Sequence, residues 1–455
     1  MAVGAQSAPG GAIAAYFKFA ERGTNLATEV KAGVTTFMVM AYILLVNPSI
    51  LAAAGIPIPA ASAATALIAG VMTLAMGIVA NVPIALAAGL GINGAVAFGL
   101  VLTNGLTPAG AMGVIVLEGI VVTILVLVGL REAIMKAVPL SLKRAIGAGI
   151  GLFILFIGFI DAGIIIKTGG SSAENPVPVT FVFPTETAHF VFWLGLVLTI
   201  LLWARRIPGA LLISIVVTSA VAIAVGIQEL PETITATPDF STIGAFDLGN
   251  VFTVLGTLAA VLTIFSFMLT DFFDTMGTAT AISEQAGLTD EDGQPENVGR
   301  ILLVDSVAAA VGGAAGISSN TSYIESAAGV AEGGRTGFTS VVTGVLFLGA
   351  ILLTPLAVLV PYVATGPVLV FVGFLMVSLV KDIDFSDIEE GLPALFGLIL
   401  MPLTFSITVG IGAAFVTYVV VKVVRGKLTE IHPLLWAVAV AFGVYFLQNW
   451  IGGYI

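Results

Sequence analysis

The chain contains no cysteine, and only two of its 455 residues are histidine, His189 and His432. The absence of thiols excludes disulfides, thiol chemistry and thiolate metal sites. Two histidines, with no His-Glu-x-x-His motif, leave little from which to build a metal centre or a nucleophilic site. We therefore expect no bound metal and no cofactor, and an enzyme is the least favoured class of function.

Charged residues are scarce as well. They make up 9% of the sequence and hydrophobic residues 58%, whereas about a quarter of a soluble domain is charged. Apolar runs of about 20 residues recur along the chain, and each is long enough to cross a hydrocarbon core of about 30 Å. The composition therefore predicts an all-α polytopic membrane protein in contact with the lipid bilayer. Its net charge of −11 argues against nucleic acid as a partner.

The apolar runs and the basic residues together predict a topology. About fourteen spans lie between residues 30 and 424, several of them short or broken. With the N-terminus in the cytoplasm, every basic residue except Lys167 falls on the cytoplasmic side, as the positive-inside rule expects. The apolar stretch at residues 431–451 either crosses the membrane or lies along its surface.

Two short sequence features recur seven spans apart. Val138-Pro139 precedes an apolar run at residues 149–153, and Val360-Pro361 precedes a similar run at residues 368–371. An odd number of spans between corresponding segments inverts the second half of the chain relative to the first. Inverted repeats are a transporter architecture, with the substrate site between the repeats.

The third span of each half, at residues 81–94 and 312–322, is rich in small residues and turn formers. Gly and Pro weaken a helix, while Ser, Thr and Asn compete for its backbone. We therefore predict extended backbone up to mid-membrane, followed by half-helices that begin near Asn93 and near Tyr323. Irregular backbone at this depth is tolerated only beside a cavity. The free N–H groups at each half-helix start would then serve as donors for a ligand.

Three acids inside otherwise apolar sequence predict a binding site. Asp271 and Asp274 lie three positions apart on one face of a helix, and Glu325 lies in the first turn of the second half-helix. Ionisable groups at membrane depth are costly, so they mark function. These carboxylates could accept the N–H groups of a polar, planar ligand, while the amide of Asn93 meets its carbonyls and ring nitrogens. Among nearby aromatic residues, Tyr323 could cover the ring face of such a ligand.

Phe272 is a second candidate for stacking on the ligand. Asp305 could line the cavity or pair with another group, and the sequence leaves both alternatives open. The remaining polar residues receive structural interpretations: Glu118 and Asp161 as acids near span ends that reach water, Asn47 as a helix-end residue before Pro48, and Tyr42 as a packing residue.

The chain has no recognisable nucleotide-binding loop. The glycine pattern at residues 89–94 has no lysine and no α/β context, so it does not predict a phosphate site. Uphill transport would therefore need an ion gradient, and buried carboxylates are the usual proton carriers. Asp271 and Glu325 are the proton-coupling candidates, with sodium as the alternative ion.

Several motifs resemble the AzgA-type purine permeases of the nucleobase–cation symporter group. The most specific are Asp-Phe-Phe-Asp-Thr-Met-Gly-Thr at residues 271–278 and Tyr-Ile-Glu-Ser-Ala-Ala-Gly-Val at 323–330. Residues 33–37, 41–51 and 333–337 share the resemblance, which runs from about residue 25 to 425.

The resemblance implies a secondary active transporter in the cell membrane. It would import hypoxanthine, guanine and adenine by proton symport, with a 7+7 inverted repeat whose core moves like an elevator against a gate, and it would be a homodimer. The residues that match the family's base-binding positions are Asn93, Asp271, Asp274 and Glu325. The family tends to have an aromatic residue soon after the asparagine, and Phe98 is the candidate substitute for that stacking residue.

The corresponding domain boundaries divide the chain into seven parts. They are a cytoplasmic N-terminus at 1–28, the first half of the core at 29–130, the first half of the gate at 131–228, an extracellular loop at 229–250, the second half of the core at 251–356, the second half of the gate at 357–426 and a C-terminal hydrophobic segment at 427–455.

Two further functions remain open at the level of sequence. An anion transporter of the same architecture would need a buried Arg or Lys in its site, and three acids count against it. A passive nucleobase channel would bind the same ligand but would never concentrate it.

Overall fold

The computed structural model describes residues 11–129, 137–168, 179–230, 237–290 and 294–452, the last five of these as backbone alone. Parts of the predicted domains, namely residues 1–10, 130–136, 169–178, 231–236, 291–293 and 453–455, lie outside the described residues. Within the described part, nine helical segments are long and apolar enough to cross a membrane. This confirms the prediction of a multi-pass membrane protein.

Helices account for most of the described chain. In chain order they are α1 (Gly11–Tyr16), α2 (Leu26–Met40), α3 (Ile43–Ala52), α4 (Ile58–Ala75), α5 (Leu90–Gly94), α6 (Pro108–Leu127), α7 (Leu140–Asp161), α8 (Thr187–Ala204), α9 (Ala210–Ala224), α10 (Leu248–Leu255), α11 (Thr257–Ala286), α12 (Val298–Ala314), α13 (Ser326–Ala331), α14 (Gly337–Ala350), α15 (Tyr362–Val377), α16 (Ile388–Thr404), α17 (Ile407–Val424) and α18 (Pro433–Gly452). Segments of π-helix, Met76–Ala80 and Ala95–Thr103, continue α4 and α5, and 3₁₀ segments occur at Ile351–Leu359, Ser378–Asp382 and Leu428–Glu430.

Four short strands make the fold less than purely helical. β1 (Leu86–Ala88) pairs antiparallel with β4 (Asn320–Ser322), and β2 (Ile165–Lys167) pairs with β3 (Val179–Phe181). The extended backbone predicted in the two broken spans is thus confirmed, and the two segments meet each other. The predicted half-helix starts are each off by three residues: α5 begins at Leu90 and α13 at Ser326.

The largest helix pairings fall into two groups. In the first group, α2, α3, α4, α6, α12, α13 and α14 pack together, with α11 beside α6. In the second group, α7, α8, α9, α15, α16 and α17 pack together. The C-terminal apolar stretch forms α18, which packs against α17. β1 and β4 both belong to the first group, because they contact α4 and α12.

Glycines bring the main helix pairs into backbone contact. At the crossing of α7 and α15, a Cβ atom on Gly151 would lie 2.8 Å from the carbonyl oxygen of Gly373. One heptad along the same crossing, a Cβ atom on Gly158 would lie 2.8 Å from the carbonyl oxygen of Gly366. Small residues of this kind let membrane helices approach closely, where van der Waals packing drives association.

The pairing of α4 with α14 repeats this arrangement in the first group. A Cβ atom on Gly344 would lie 2.7 Å from the carbonyl oxygen of Gly70. Next to this crossing, the carboxylate of Glu29 in α2 accepts hydrogen bonds from the Arg335 N–H at 2.9 Å and from the Thr336 and Thr339 hydroxyls at 2.7 Å each. The glycine- and threonine-rich motif at residues 333–337 thus fixes the start of α14 on α2.

Candidate binding site

The site is built around the paired strands of the two broken spans. The N–H of Gly89 donates to the carbonyl of Ser319 at 2.9 Å, and the N–H of Tyr323 donates to the carbonyl of Ala85 at 3.0 Å. The hydroxyl of Tyr323 donates to the carbonyl of Ala88. Tyr323 is buried, and its N–H and hydroxyl groups both hold the segment that contains β1. The aromatic ring of Tyr323 is therefore the part that could face a ligand.

Each strand is also fixed to a neighbouring helix. The hydroxyl of Thr73 in α4 accepts from the N–H of Leu86 at 2.9 Å. The Oδ1 atom of Asp305 in α12 accepts from both the N–H and the hydroxyl of Ser322 at 2.8 Å, and its Oδ2 atom accepts from the Thr275 hydroxyl at 2.6 Å. Of the two alternatives for Asp305, the structure supports the pairing role, because its carboxylate is saturated by the groups that hold β4.

Glu325 lies in the turn that leads into α13. Its Oε1 atom accepts a hydrogen bond of 2.7 Å from the hydroxyl of Tyr42, and the side chain is partly exposed. Tyr42 is fully buried at the junction of α2 and α3. The interpretation of Tyr42 as a packing residue is therefore incomplete, since its hydroxyl orients an acid of the site. The hydroxyl of a buried tyrosine usually needs a hydrogen-bond partner. The position of Tyr42 in a broken apolar span was therefore a signal in the sequence that its hydroxyl contacts a polar group.

Asp271 lies deeper than Glu325, in the middle of α11. Its Oδ1 atom accepts a hydrogen bond of 3.1 Å from the hydroxyl of Ser319. Beside it, in the middle of α6, lies the carboxylate of Glu118, which interacts with Asp271 and with Asp305. Glu118 is fully buried. The interpretation of Glu118 as a span-end acid that reaches water is therefore wrong.

Asp274 faces open space. Its side chain is exposed, and so are Gly277, Ala281 and Glu284 farther along the same face of α11. A Cβ atom on Gly277 would meet nothing within 4 Å. Val261, in the apolar first half of α11, is also exposed, but at 3.6 residues per turn its direction differs from that of Asp274 by about 140°. The open face of Asp274 is therefore distinct from the apolar exposed face.

Asp274 also connects the other acids. It interacts electrostatically with Glu325 on one side and with Asp305 on the other, and Asp271 interacts with Asp274 in turn. The predicted acids thus form one continuous negative region, with Glu325 and Asp274 at its accessible edge and Asp271 inside it.

Asn93 is fully buried in α5. Its Nδ2 atom donates to the Oδ1 atom of Asn47 at 2.6 Å, and Asn47 in turn donates to the hydroxyl of Thr65 at 2.8 Å. The Oδ1 atom of Asn93 has no hydrogen-bond partner among the described residues. The interpretation of Asn47 as a helix-end residue is wrong, because Asn47 lies inside α3 and orients Asn93.

The two candidate stacking residues lie against other aromatic rings. Phe98 packs on Phe405 with ring centroids 6.2 Å apart, and Phe272 packs on Phe273 at 5.7 Å. The Nζ atom of Lys143 in α7 lies 5.5 Å from the centroid of Phe273. Phe98 lies in the π-helical segment after α5, which packs on α3 and α6 of the first group, and Phe405 follows α16 of the second group. The contact of Phe98 with Phe405 and the contact of Phe273 with Lys143 therefore join the two groups.

The second half-helix offers fewer donors than predicted. The N–H groups of Ser326, Ala327 and Ala328 donate to the carbonyls of Tyr323, Ile324 and Glu325 at 3.0–3.1 Å. These N–H groups are occupied within the turn itself. These three N–H groups are therefore not free to meet a ligand, whereas the Glu325 side chain is partly exposed.

Comparison with known proteins identifies the family. The sequence profile of a permease family matches residues 27–419 of the chain. The chain is 40% identical over 440 residues to the adenine permease AdeP of Escherichia coli, which covers 96% of each chain. The chain belongs to this permease family. The permease is also 37% identical to the guanine/hypoxanthine permease PbuO of Bacillus subtilis, over 96% of its own chain and all of the relative.

These similarities confirm the resemblance drawn from the motifs, and they make the permease a transporter rather than an enzyme. Its fold is similar to that of the transmembrane domain of a cyanobacterium bicarbonate transporter, BicA. That structure is 16% identical in sequence and aligns with a TM-score of 0.63 over 86% of the permease and 97% of BicA. The likeness supports a membrane-transporter fold.

Proposed function

We propose that the permease imports purine nucleobases by ion-coupled symport, with the proton as the coupling ion. The single observation that carries this proposal is the pairing of β1 with β4 beside the acids of α11 and Glu325, in the turn that leads into α13. A purine is flat and carries both N–H donors and ring-nitrogen acceptors. The similarity to an adenine permease and to a guanine/hypoxanthine permease favours the same class of substrate here.

The geometry suggests a role for each residue of the site. Glu325, oriented by Tyr42, and Asp274, at the open face of α11, would accept substrate N–H groups. Asn93 would contribute its unpaired Oδ1 atom as a further acceptor, rather than the amide donor expected from the sequence. The ring of Tyr323 would lie on the substrate face, and Asp271 would serve proton coupling from inside the site.

The two groups of helices suggest how the substrate crosses the membrane. In our proposal the first group is the core that carries both broken spans, and the second group is the gate. The core would move against the gate like an elevator, with a 7+7 inverted repeat of about fourteen spans as its framework. The N-terminus would lie in the cytoplasm of a cell whose plasma membrane holds the permease, as a homodimer formed through the gate.

The decisive experiment is uptake of labelled hypoxanthine, guanine and adenine by cells that lack their own purine carriers. We expect Glu325→Gln to lower uptake by about tenfold or more, because a charge-assisted hydrogen bond to the substrate contributes about 1.5–3 kcal/mol. Asp382→Asn is the control, since Asp382 is an exposed acid outside the site. Surface display of each variant must be measured alongside. Uptake by Glu325→Gln at the Asp382→Asn rate would refute the assigned site.

The same cells test the two alternatives. Wild-type uptake that never exceeds the external concentration, and that ignores a protonophore, would indicate a passive channel. Uptake of an inorganic anion instead of a nucleobase would indicate an anion transporter, although the acids of the site oppose that reading.

A further inference from the structure

Two buried carboxylates in the permease meet without any hydrogen-bond donor between them. Glu118 in α6 is 0% exposed and Asp271 in α11 is 1% exposed. Among the described residues, neither Glu118 oxygen nor the Oδ2 atom of Asp271 has a hydrogen-bond partner. Each side chain lies within the electrostatic reach of the other. Burial without a donor is costly for a neutral acceptor and more so for a charge.

Within the described part of the chain, the groups that interact with the pair supply no compensating positive charge. Asp305 on α12 and Asp274 on α11 are the other titratable groups that interact with it, and both are acids. Asp305 already accepts three hydrogen bonds, so its carboxylate is solvated by protein donors in the charged form. Glu118 and Asp271 lack that solvation. A single proton between them would remove one charge and provide the missing donor for the facing oxygen.

The segment next to the pair also holds unpaired polar atoms. In the described structure the hydroxyl of Ser318 and both amide atoms of Asn320 are buried without a hydrogen-bond partner. They flank Ser319, whose hydroxyl donates to Asp271. The segment that carries β4 therefore holds more buried hydrogen-bonding capacity than its own contacts use.

We propose that Glu118 and Asp271 hold one shared proton and that this proton is the coupling ion of transport. The inference rests on the proposed nucleobase symport and adds Glu118 as a proton-coupling residue that does not touch the substrate. The proton enters and leaves through Asp274, which interacts with Asp271 and opens onto the exposed face of α11. Loading removes one negative charge from the site, and release restores it, so substrate binding and protonation are linked.

The test uses purified permease in proteoliposomes with labelled hypoxanthine. Wild-type protein should take up protons together with hypoxanthine, and a gradient of one pH unit should sustain accumulation of about tenfold for one proton per substrate. In Glu118→Gln, hypoxanthine counterflow should persist while accumulation falls to about onefold and proton uptake disappears. Asp382→Asn, which changes an exposed acid outside the site, should behave as wild type.

Three outcomes would overturn the inference, and a second variant guards against misfolding. Proton uptake by Glu118→Gln at the wild-type stoichiometry would contradict it, and so would wild-type accumulation driven by a sodium gradient alone. Glu118→Asp keeps the carboxyl group but shortens its reach, so it should remain coupled with a displaced pH profile of counterflow. An unchanged pH profile in Glu118→Asp would be the third contrary result. Failure of wild-type counterflow would instead refute the proposed function.

Discussion

At the scale of single residues, the site separates acids with hydrogen-bond donors from acids without them. Asp305 is saturated by Ser322 and Thr275, whereas Glu325 has one donor, the hydroxyl of Tyr42. In a low-dielectric setting, such differences decide which carboxylate stays charged and which takes up a proton. A role in transport therefore follows from hydrogen-bond partners as much as from position along the chain.

Tyr42 allows this reasoning to be tested without altering an acid. In Tyr42→Phe the ring remains, but Glu325 loses the hydrogen bond that orients it, which is worth about 1.5–3 kcal/mol when one partner is charged. We expect the Michaelis constant for hypoxanthine uptake to rise by about tenfold, with protein display unchanged. Tyr418→Phe, on α17, is the matched control. Equal Michaelis constants in the two variants would argue against an orienting role.

At the residue scale, depth within an apolar span predicted the burial of Asp271, which the structure confirms, while its role in binding stays a prediction. Asp271 lies in the middle of an apolar span, and the structure places it inside the negative region. The interpretation of Glu118 failed because its partner Asp271 is 153 positions away in the sequence. Tyr42 and Asn47 were misjudged for the same reason: their partners Glu325 and Asn93 come from other spans.

At the scale of helices and strands, composition predicted broken spans but not their pairing. Glycine, serine and asparagine at residues 81–94 and 312–322 explain why the helix fails there. Nothing local specifies that β1 and β4 should pair with each other, because the register depends on α4 and α12 bringing them together. The half-helix starts shifted by three residues for a similar reason, since the strand contacts decide where the helices can begin.

The glycine contacts between helices lead to a prediction about stability. Gly344→Leu would force α14 away from α4, because even a Cβ atom there would lie 2.7 Å from the Gly70 carbonyl oxygen. We expect a loss of at least about 2 kcal/mol, as for other overpacked sites, seen as a lower melting temperature in detergent. Gly349→Leu in the same helix is the control, since a Cβ atom there meets nothing within 4 Å. Equal melting temperatures would contradict the close packing.

At the scale of the whole molecule, contacts of aromatic rings are among those that join the two groups of helices. Phe98 of the first group lies on Phe405 of the second. If the first group moves against the second during transport, this contact must open and close in every cycle.

The lack of native cysteine makes that movement accessible to crosslinking. In F98C/F405C, a cleavable bifunctional thiol reagent should join the two groups and stop hypoxanthine uptake, and cleavage of the reagent should restore it. Phe98 is also a candidate stacking residue, so each single variant must first be shown to transport. A crosslinked protein that transports as fast as the same variant without the crosslink would argue against relative movement at this interface.

The mutual pairing of β1 and β4 has a consequence for the energetics of repeated turnover. If the amides of an unwound segment depended on water, they would lose and regain hydrogen bonds to water each time the site moved between the two sides of the membrane. Each amide group left without a hydrogen-bond partner would cost about 1–3 kcal/mol. Here the amides of the two unwound segments are satisfied partly by one another and partly by side chains of α4 and α12. Changes in hydration are therefore limited to a few side chains. Those side chains can set the free-energy barrier of each transport step.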